Sequence, residues 1–299
     1  MRPSNLMDIE SLRKKLPWWG RIAAKMVLSR LPADYARWQK VGLFRHGRMD
    51  DAGYALAVFE DHVLHAGLAG RLDGKTILEL GPGDSVASAV IAATHGARAV
   101  LVDSGRFAKD SPEAYQDLVR RLRAGGLNPP DISECRSLEQ LLATCGARYY
   151  TEGLASLAAI EEGSIDLIYS HAVLEHIRRD EFLPTQRACA RLLRPGGLCS
   201  HQVDLSDHLG GGLNNLRFPG RIWESSFFVR SGFYTNRIQF DAMLGMFERA
   251  GFSVKVGKVN RWAELPIRRD QLAAEFRSIP DSVLDVSGFG VLLRRLEKF

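Results

Sequence analysis

The chain has 299 residues, a formal net charge of +5, and 45% hydrophobic and 25% charged residues, which is an ordinary composition for a globular protein. No uncharged run of 18 or more apolar residues occurs, so a transmembrane helix is not expected, and no secretory signal region is evident. The four cysteines have no CxxC spacing, which argues against a zinc site or a disulfide framework. We therefore expect a reduced, cytoplasmic protein.

Residues 1–72 are predicted to form an N-terminal helical extension or lid. Within it, the segment MDDAGYALAVFEDHVLHAG carries apolar residues at helical spacing after an acidic start. Gly67 provides a stop signal for this helix.

A basic and apolar segment at residues 13–31 contains Trp18, Trp19 and several lysines and arginines. A helix of this kind can lie in a membrane interface, which suggests weak membrane-surface contact at the inner face of a membrane. The competing interpretation is a lid over a ligand or an interface with another subunit. The oligomeric state does not follow from the sequence.

Predicted strands and helices alternate between residues 73 and 204. The strands are expected at 76–80, 99–103, 148–151, 165–170 and 198–204, and the helices at 86–95, 113–123, 138–144 and 181–193. This alternation predicts an α/β fold, a doubly wound and mostly parallel sheet with right-handed crossovers. Ligands of such sheets bind at the carboxyl ends of the strands, near the point where the strand order reverses.

The remaining residues, 205–299, are less regular. A helix ending at Gly251 and two strands, SVKVGKV and VSGFGVLLRR, complete the predicted domain at 73–299. Residues 205–240 are expected to be an insertion on the substrate side. The aromatic, asparagine and arginine residues of this insertion suit a sugar or an acidic acceptor, although packing explains the aromatic residues equally well.

The first predicted strand leads into a glycine-rich turn, TILELGPGDS. Gly81 and Gly83 allow a ligand to approach the backbone closely. The third glycine of a dinucleotide fingerprint is missing, and so is the Gly-Lys pair of a P-loop. Glu79 beside the turn repels phosphate and attracts an ammonium group.

Asp103 ends the second predicted strand, where a carboxylate can accept both hydroxyls of a ribose. A ligand with an amino-acid part and a nucleoside part therefore fits the residues. That combination indicates S-adenosylmethionine (SAM).

Three stretches carry a resemblance to a known family. The glycine-rich turn resembles motif I, E/D-x-G-x-G, of the class I SAM-dependent methyltransferases. SIDLIYSHAVLEHI resembles the family's fourth strand and the loop after it, and LLRPGGLCSHQVDL resembles its next helix, turn and strand. The C-terminal strands look like the family's closing antiparallel hairpin.

The resemblance implies a class I methyltransferase fold and a set of cofactor contacts. Gly81 and Gly83 would line the methionine part of SAM, with Glu79 beneath the turn, and Asp103 would hold the ribose. The other implied contacts are Glu152, Gly153 and Leu154 for the adenine, and Ser170, His171 and Ala172 for the sulfonium and the amino acid. Many members of the family carry an aspartate where this chain has Glu152.

A dense set of ionisable residues occupies the stretch SHQVDLSDHLGGG. His201, Asp204 and His208 are candidate catalytic residues, with Asp207 between the last two. A base at this position would accelerate transfer to a hydroxyl group by about 10²–10⁴-fold. The alternatives are a pair that binds a divalent cation and a solvated loop with one buried, hydrogen-bonded histidine.

The sequence thus predicts an enzyme that transfers the methyl group of SAM to a hydroxyl of a carbohydrate or another small polar molecule. The alternative is a non-catalytic SAM-binding module that serves a partner protein. A nucleic-acid substrate is not expected, because the tetrapeptide at Asn128 lacks the aromatic residue of N/D-P-P-Y/F motifs. A dehydrogenase is disfavoured by the missing third glycine.

Overall fold

The computed structural model describes residues 49–296 and the single residue Gly20. The helices of eight or more residues, in chain order, are α1 (Ala52–His65), α2 (Ala87–Thr94), α3 (Gln116–Ala124), α6 (Arg179–Leu192) and α9 (Phe240–Arg249). The shorter helices are α4 (Leu138–Thr144), α5 (Leu154–Leu157), α7 (Gly220–Trp223), α8 (Ser226–Val229) and α10 (Asp281–Leu284). The strands are β1 (Thr76–Leu80), β2 (Arg98–Val102), β3 (Arg148–Tyr150), β4 (Ile165–His171), β5 (Leu193–Asp204), β6 (Phe252–Arg261) and β7 (Val286–Arg295).

The chain divides into two compact units. Within the described residues, one unit comprises 49–204, 238–260 and 288–296, and the other comprises Leu205–Arg237 and Arg261–Ser287. We call them the sheet unit and the second unit. The predicted boundary at residue 72 stays a prediction, but helix α1, which precedes it, packs within the core of the sheet unit.

Helix α1 forms where the sequence predicts it. The Asp51 side chain caps its first turn by accepting a hydrogen bond from the Tyr54 backbone N–H at 2.8 Å, a common N-cap arrangement. Gly67, with φ of +67°, follows its end. The buried residues recur at helical spacing, and they are Ala55, Val58, Phe59, His62 and Val63.

The seven strands of the described chain form one sheet in the order β3-β2-β1-β4-β5-β7-β6. Strands β1 to β5 pair in parallel, and β7 pairs antiparallel with β5. The order reverses between β1 and β4, so a ligand crevice is expected at their carboxyl ends. The predicted α/β doubly wound, mostly parallel sheet is confirmed.

One strand begins earlier than predicted. The sequence LRPGG was expected to be a turn, but β5 already begins at Leu193, which pairs with Ile165 of β4. The register then shifts before Leu198 pairs with Leu167. A local irregularity of this kind accommodates Pro195 and Gly196 within a pairing strand.

The predicted segment at 13–31 lies outside the described part of the chain, apart from Gly20. Within the described residues, no helix is long and apolar enough to span a bilayer.

The second unit has its own apolar clusters. One contains Leu209, Trp223, Phe228, Phe233 and Tyr234, and the other contains Leu213, Leu216, Ile267, Leu272, Ala273, Phe276 and Leu284. The Trp223 indole donates a hydrogen bond to the Thr235 carbonyl at 2.7 Å. The aromatic residues of the predicted insertion therefore pack inward for the most part.

Candidate active site

The turn after β1 requires glycine at its first position. Gly81 and Gly83 have φ of +68° and +67°, in the left-handed region that favours glycine. A Cβ atom on Gly81 would lie 2.6 Å from both γ-carbons of Val173, closer than non-bonded carbons approach. The turn after β1 is thus pressed against the loop after β4, at the point where the strand order reverses.

Asp103 joins three loops at this edge of the sheet. Its Oδ2 accepts a hydrogen bond from the Gly83 N–H at 2.9 Å, and its Oδ1 accepts one from the Ser104 N–H at 2.7 Å. Its backbone carbonyl accepts one from the Gly153 N–H at 2.8 Å. The residues predicted to touch SAM after β1, β2 and β3 are therefore brought together. Burial raises the pKa of Asp103 to about 6, and the hydrogen bonds from Gly83 and Ser104 oppose that rise.

The loop after β3 holds the residues that were predicted to contact adenine. Glu152 is exposed, and its N–H donates to the Ser156 hydroxyl at 2.9 Å. Gly153 has φ of +56° and precedes the short helix α5, which begins at Leu154. Gly153 lies beside Asp103, to whose carbonyl it donates a hydrogen bond. Contact of the three residues with the cofactor stays a prediction.

Glu79 is buried in the middle of the sheet, below the glycine turn. It is 3% exposed and accepts a hydrogen bond from the Ser88 hydroxyl of α2. Its neighbour across the strand pair is Tyr169. Burial raises the pKa of Glu79 to about 7, although the hydrogen bond from Ser88 lowers it.

The raised pKa of Glu79 leads to a prediction about pH and stability. The folded state holds the proton up to about pH 7, whereas the unfolded state releases it near 4.5. The protein should therefore lose stability as the pH rises from about 4.5 to about 7, by roughly 3 kcal/mol from this group. The free energy of unfolding of a Glu79→Gln variant, measured with denaturant, should fall less over that pH range. Equal losses in both proteins would contradict the assignment.

Three residues were predicted around the sulfonium. His171 and Ala172 lie at the carboxyl end of β4, whereas Ser170 is buried in the core. His171 ends the strand and is half-buried, and Ala172 is exposed. Ala172 has φ of +53°, a strained conformation for a non-glycine residue that occurs often at functional sites. Ser170, by contrast, has no exposed surface, and its hydroxyl is hydrogen-bonded to His201 Nδ1 at 2.8 Å.

The structure does not support His201 as a base. The side chain has no exposed surface and stacks on Phe247 with 6.2 Å between the ring centres. Burial lowers its pKa to about 3. This placement corresponds to the alternative interpretation, a buried and hydrogen-bonded histidine in the fifth strand.

The remaining ionisable residues after His201 are Asp204, Asp207 and His208, and their surroundings differ. Asp204 is half-buried at the end of β5, so it lies at the predicted ligand edge. Asp207 is buried and its carboxylate accepts hydrogen bonds from the N–H groups of Leu209 and Asn214, which makes it a loop-forming residue. His208 is half-buried in the second unit. Within residues 49–296, no three His, Cys, Asp or Glu side chains could together hold a metal ion.

Sequence reasoning missed the contribution of helix α1 to the surroundings of His171. The His171 ring makes edge contacts with Tyr54 and His62, with ring centres 5.9 and 5.8 Å apart. His62 Nδ1 is hydrogen-bonded to the Ser200 hydroxyl at 2.8 Å, and its ring stacks on Tyr169 at 4.8 Å. The available signal was the position of His62 on the apolar face of α1.

Burial lowers the pKa values of both His62 and His171. Both rings are therefore neutral at neutral pH. A neutral imidazole at the end of β4 can accept a proton, whereas a protonated one cannot.

The fold and the edge built by Gly81, Gly83 and Asp103 define an α/β protein that binds a nucleoside-containing ligand. The sequence of residues 53–255 matches the model of a family described as "Methyltransferase domain". The match covers more than half of the chain, and the chain belongs to this methyltransferase family.

Comparison with solved structures gives similar proteins at low identity. A SAM-dependent methyltransferase from Mesorhizobium loti is 18% identical, with a TM-score of 0.42, 78% of this chain covered and 98% of that chain covered. One from Methanosarcina mazei is 14% identical, with a TM-score of 0.46 and coverages of 80% and 97%. A putative methyltransferase from Haloferax volcanii, in complex with the Trm112 activator, is 17% identical, with a TM-score of 0.39 and coverages of 83% and 96%. No curated protein matches the sequence.

The cofactor of this family is SAM, and the residues present fit it. The glycine turn lies against Val173 of the loop after β4, which places it at the carboxyl ends of β1 and β4, where ligands of such sheets bind. Asp103 stands at the end of β2, where an acid can reach a ribose. Glu79 lies beneath the turn, where its buried carboxyl joins β1 to α2 through Ser88.

Proposed function

We propose that the protein transfers the methyl group of SAM to a hydroxyl of a carbohydrate or another small polar molecule. The observation that carries this proposal is the presence of two proton-accepting side chains at the expected ligand edge. His171 ends β4 and Asp204 ends β5, and both are half-buried. A hydroxyl acceptor must lose its proton during transfer, whereas no such group is needed merely to bind SAM.

The chain's own residues would bind and orient the reactants. The turn at Gly81 and Gly83 and the carboxylate of Asp103 would hold the cofactor, which supplies a methyl group on a positively charged sulfur when bound. Orientation of an acceptor against that methyl group can remove roughly 7–11 kcal/mol of the barrier.

Asp204 is the better placed of two neighbouring carboxyl groups to take a proton. Glu175 is 2% exposed, and burial raises its pKa well above the ordinary range, with a further rise from the nearby Asp204. Burial thus favours the neutral form of Glu175 inside the core. Asp204, by contrast, is half-buried at the carboxyl end of β5, where an acceptor can reach it.

The proposal predicts a loss of turnover in an Asp204→Asn variant. The assay is the release of S-adenosylhomocysteine with a panel of hydroxylated sugars and small polar alcohols, each paired with its amine analogue. We expect hydroxyl acceptors to react, and the variant to turn over about 10²–10⁴-fold more slowly with SAM binding unchanged in calorimetry. The control is Asp110→Asn, since the Asp110 side chain is 73% exposed.

The outcomes separate the alternatives. Reaction of the amine analogues alone would overturn a hydroxyl acceptor. SAM binding with no product from any acceptor would favour a non-catalytic module that serves a partner protein. Unchanged turnover in Asp204→Asn would mean that another residue is the base. His171 and His208 are the remaining candidates.

We also propose a cytoplasmic location. The four cysteines, Cys135, Cys145, Cys189 and Cys199, are buried free thiols. Burial raises the pKa values of Cys145 and Cys189 to about 12, so both are protonated and unreactive. A reducing compartment is the environment in which unpaired cysteines are usual.

A further inference from the structure

Two apolar side chains project from neighbouring short helices of the second unit. Ile222 on α7 is 40% exposed and Phe227 on α8 is 45% exposed. Among the described residues, the exposed large hydrophobic side chains are Leu64, Leu127, Ile222, Phe227, Val256 and Leu296. Ile222 and Phe227 are the members closest to each other in sequence, and single exposed apolar residues elsewhere need no special explanation.

The packing beneath these helices keeps both side chains outside. Trp223 of α7 and Phe228 of α8 are buried, with ring centres 5.4 Å apart. Phe227 contacts the edge of Phe228 at 5.7 Å. Because the inward side of each helix already holds a large aromatic ring, neither Ile222 nor Phe227 can turn inward without displacing it. Both side chains therefore remain in contact with water, although their burial would be favourable.

Two exposed basic side chains flank the two apolar ones in the sequence. Arg221 and Arg230 are exposed, and neither forms an ion pair with another described residue. The only acid between residues 220 and 230 is Glu224. Its carboxylate accepts a hydrogen bond from the Tyr234 hydroxyl at 2.8 Å and lies 3.9 Å from the buried Arg237. A second acid, Glu275, lies against this segment, since its carboxylate accepts a hydrogen bond from the Gly220 N–H at 3.3 Å and lies 3.8 Å from Arg237. Both acids are thus engaged within the unit, and neither forms an ion pair with Arg221 or Arg230.

We propose that Ile222, Phe227, Arg221 and Arg230 form a surface that binds an anionic membrane. The two apolar side chains enter the boundary between headgroups and acyl chains, and the arginines contact headgroup phosphates. Apolar residues flanked by basic ones are the usual composition of surfaces that lie on a bilayer. Each basic residue near an anionic surface adds to the attraction.

Charge complementarity favours a lipid surface over a second copy of this chain. The chain carries a net charge of +5, so two copies repel each other, whereas anionic lipids attract both. The basic and apolar segment at residues 13–31 adds charge of the same sign. The proposal itself rests only on the four described residues.

The test is co-sedimentation of the full chain with vesicles of phosphatidylcholine alone and of phosphatidylcholine with phosphatidylglycerol. We expect binding only to the vesicles with phosphatidylglycerol, and weaker binding as salt is added. A variant with both Ile222→Ser and Phe227→Ser should partition roughly tenfold less. The matched control carries Leu64→Ser and Val256→Ser, since Leu64 is 66% exposed and Val256 is 36% exposed, both in the sheet unit.

Vesicle binding can be measured without knowledge of the methyl-transfer reaction. Calorimetric binding of SAM by each variant shows that the fold is intact, whether or not an acceptor is known. Equal partitioning of the Ile222→Ser and Phe227→Ser variant and the native chain overturns the proposal, as does absence of binding by the native chain. Binding lost only on removal of residues 13–31, or a serine variant that changes oligomeric state rather than vesicle binding, also overturns it.

Discussion

A Gly81→Ala variant is expected to bind SAM roughly a hundredfold more weakly, or not measurably. Alanine must adopt the left-handed conformation that Gly81 holds at φ of +68°, and its Cβ meets the side chain of Val173 at 2.6 Å. Either the turn or the loop after β4 must shift. Left-handed strain of a non-glycine residue costs on the order of 1–3 kcal/mol, and a hundredfold loss of affinity corresponds to about 2.7 kcal/mol. Calorimetric titration with SAM measures the change.

Two further variants separate the steric effect from the conformational one. Gly146→Ala imposes a similar left-handed strain, with φ of +61°, but its new Cβ would have no atom within 4 Å. It should leave SAM binding unchanged. A variant with both Gly81→Ala and Val173→Ala removes the clash and should recover part of the affinity. Native binding by Gly81→Ala alone would show that the ligand does not depend on this turn.

Replacement of Arg237 by methionine is expected to destabilise the second unit by about 3–5 kcal/mol. The Arg237 side chain is 1% exposed and lies 3.9 Å from Glu224 and 3.8 Å from Glu275. Its guanidinium carbon lies 5.3 Å from the ring centre of Trp223 and 5.0 Å from that of Phe276. It also donates a hydrogen bond to the Phe218 carbonyl at 2.6 Å. Methionine would remove the guanidinium from both carboxylates and from this carbonyl.

Denaturant unfolding, monitored by tryptophan fluorescence, measures this effect because Trp223 stacks beside the guanidinium. Arg237→Lys keeps the charge but loses the planar fork, so its midpoint should fall between those of the native chain and the methionine variant. Arg268→Gln removes an exposed ion pair with Asp270 and should leave the midpoint unchanged. A native midpoint for Arg237→Met would rule out a stabilising role for the buried cation.

The centre of the sheet was predictable because strands β1 and β4 are buried on both faces. Every residue of β1 is buried, and its sequence TILEL is mostly apolar, with Glu79 as its one acid. The start of β5 was not predictable, because Pro195 and the two glycines indicate a turn locally. Pairing of Leu193 with Ile165 is a long-range interaction that outweighs this local preference.

The site was predictable where backbone conformation or strand ends determine it. Gly81, Gly83 and Asp103 occupy such positions, and the structure brings them together. The side chains were harder to assign, because the sequence does not show which face of a strand a residue occupies. His201 and Ser170 form a hydrogen bond with each other in the core. The rings of Tyr54 and His62 reach His171 only through the docking of α1.

The position of β7 affects the order in which the protein can assemble during synthesis. This strand comes from residues 286–295 but lies between β5 and β6. Until residue 295 has left the ribosome, β5 has no partner on that side, and its unpaired backbone groups remain available to other chains. The nascent sheet is therefore open to misassociation at the free edge of β5 until β7 has been synthesised.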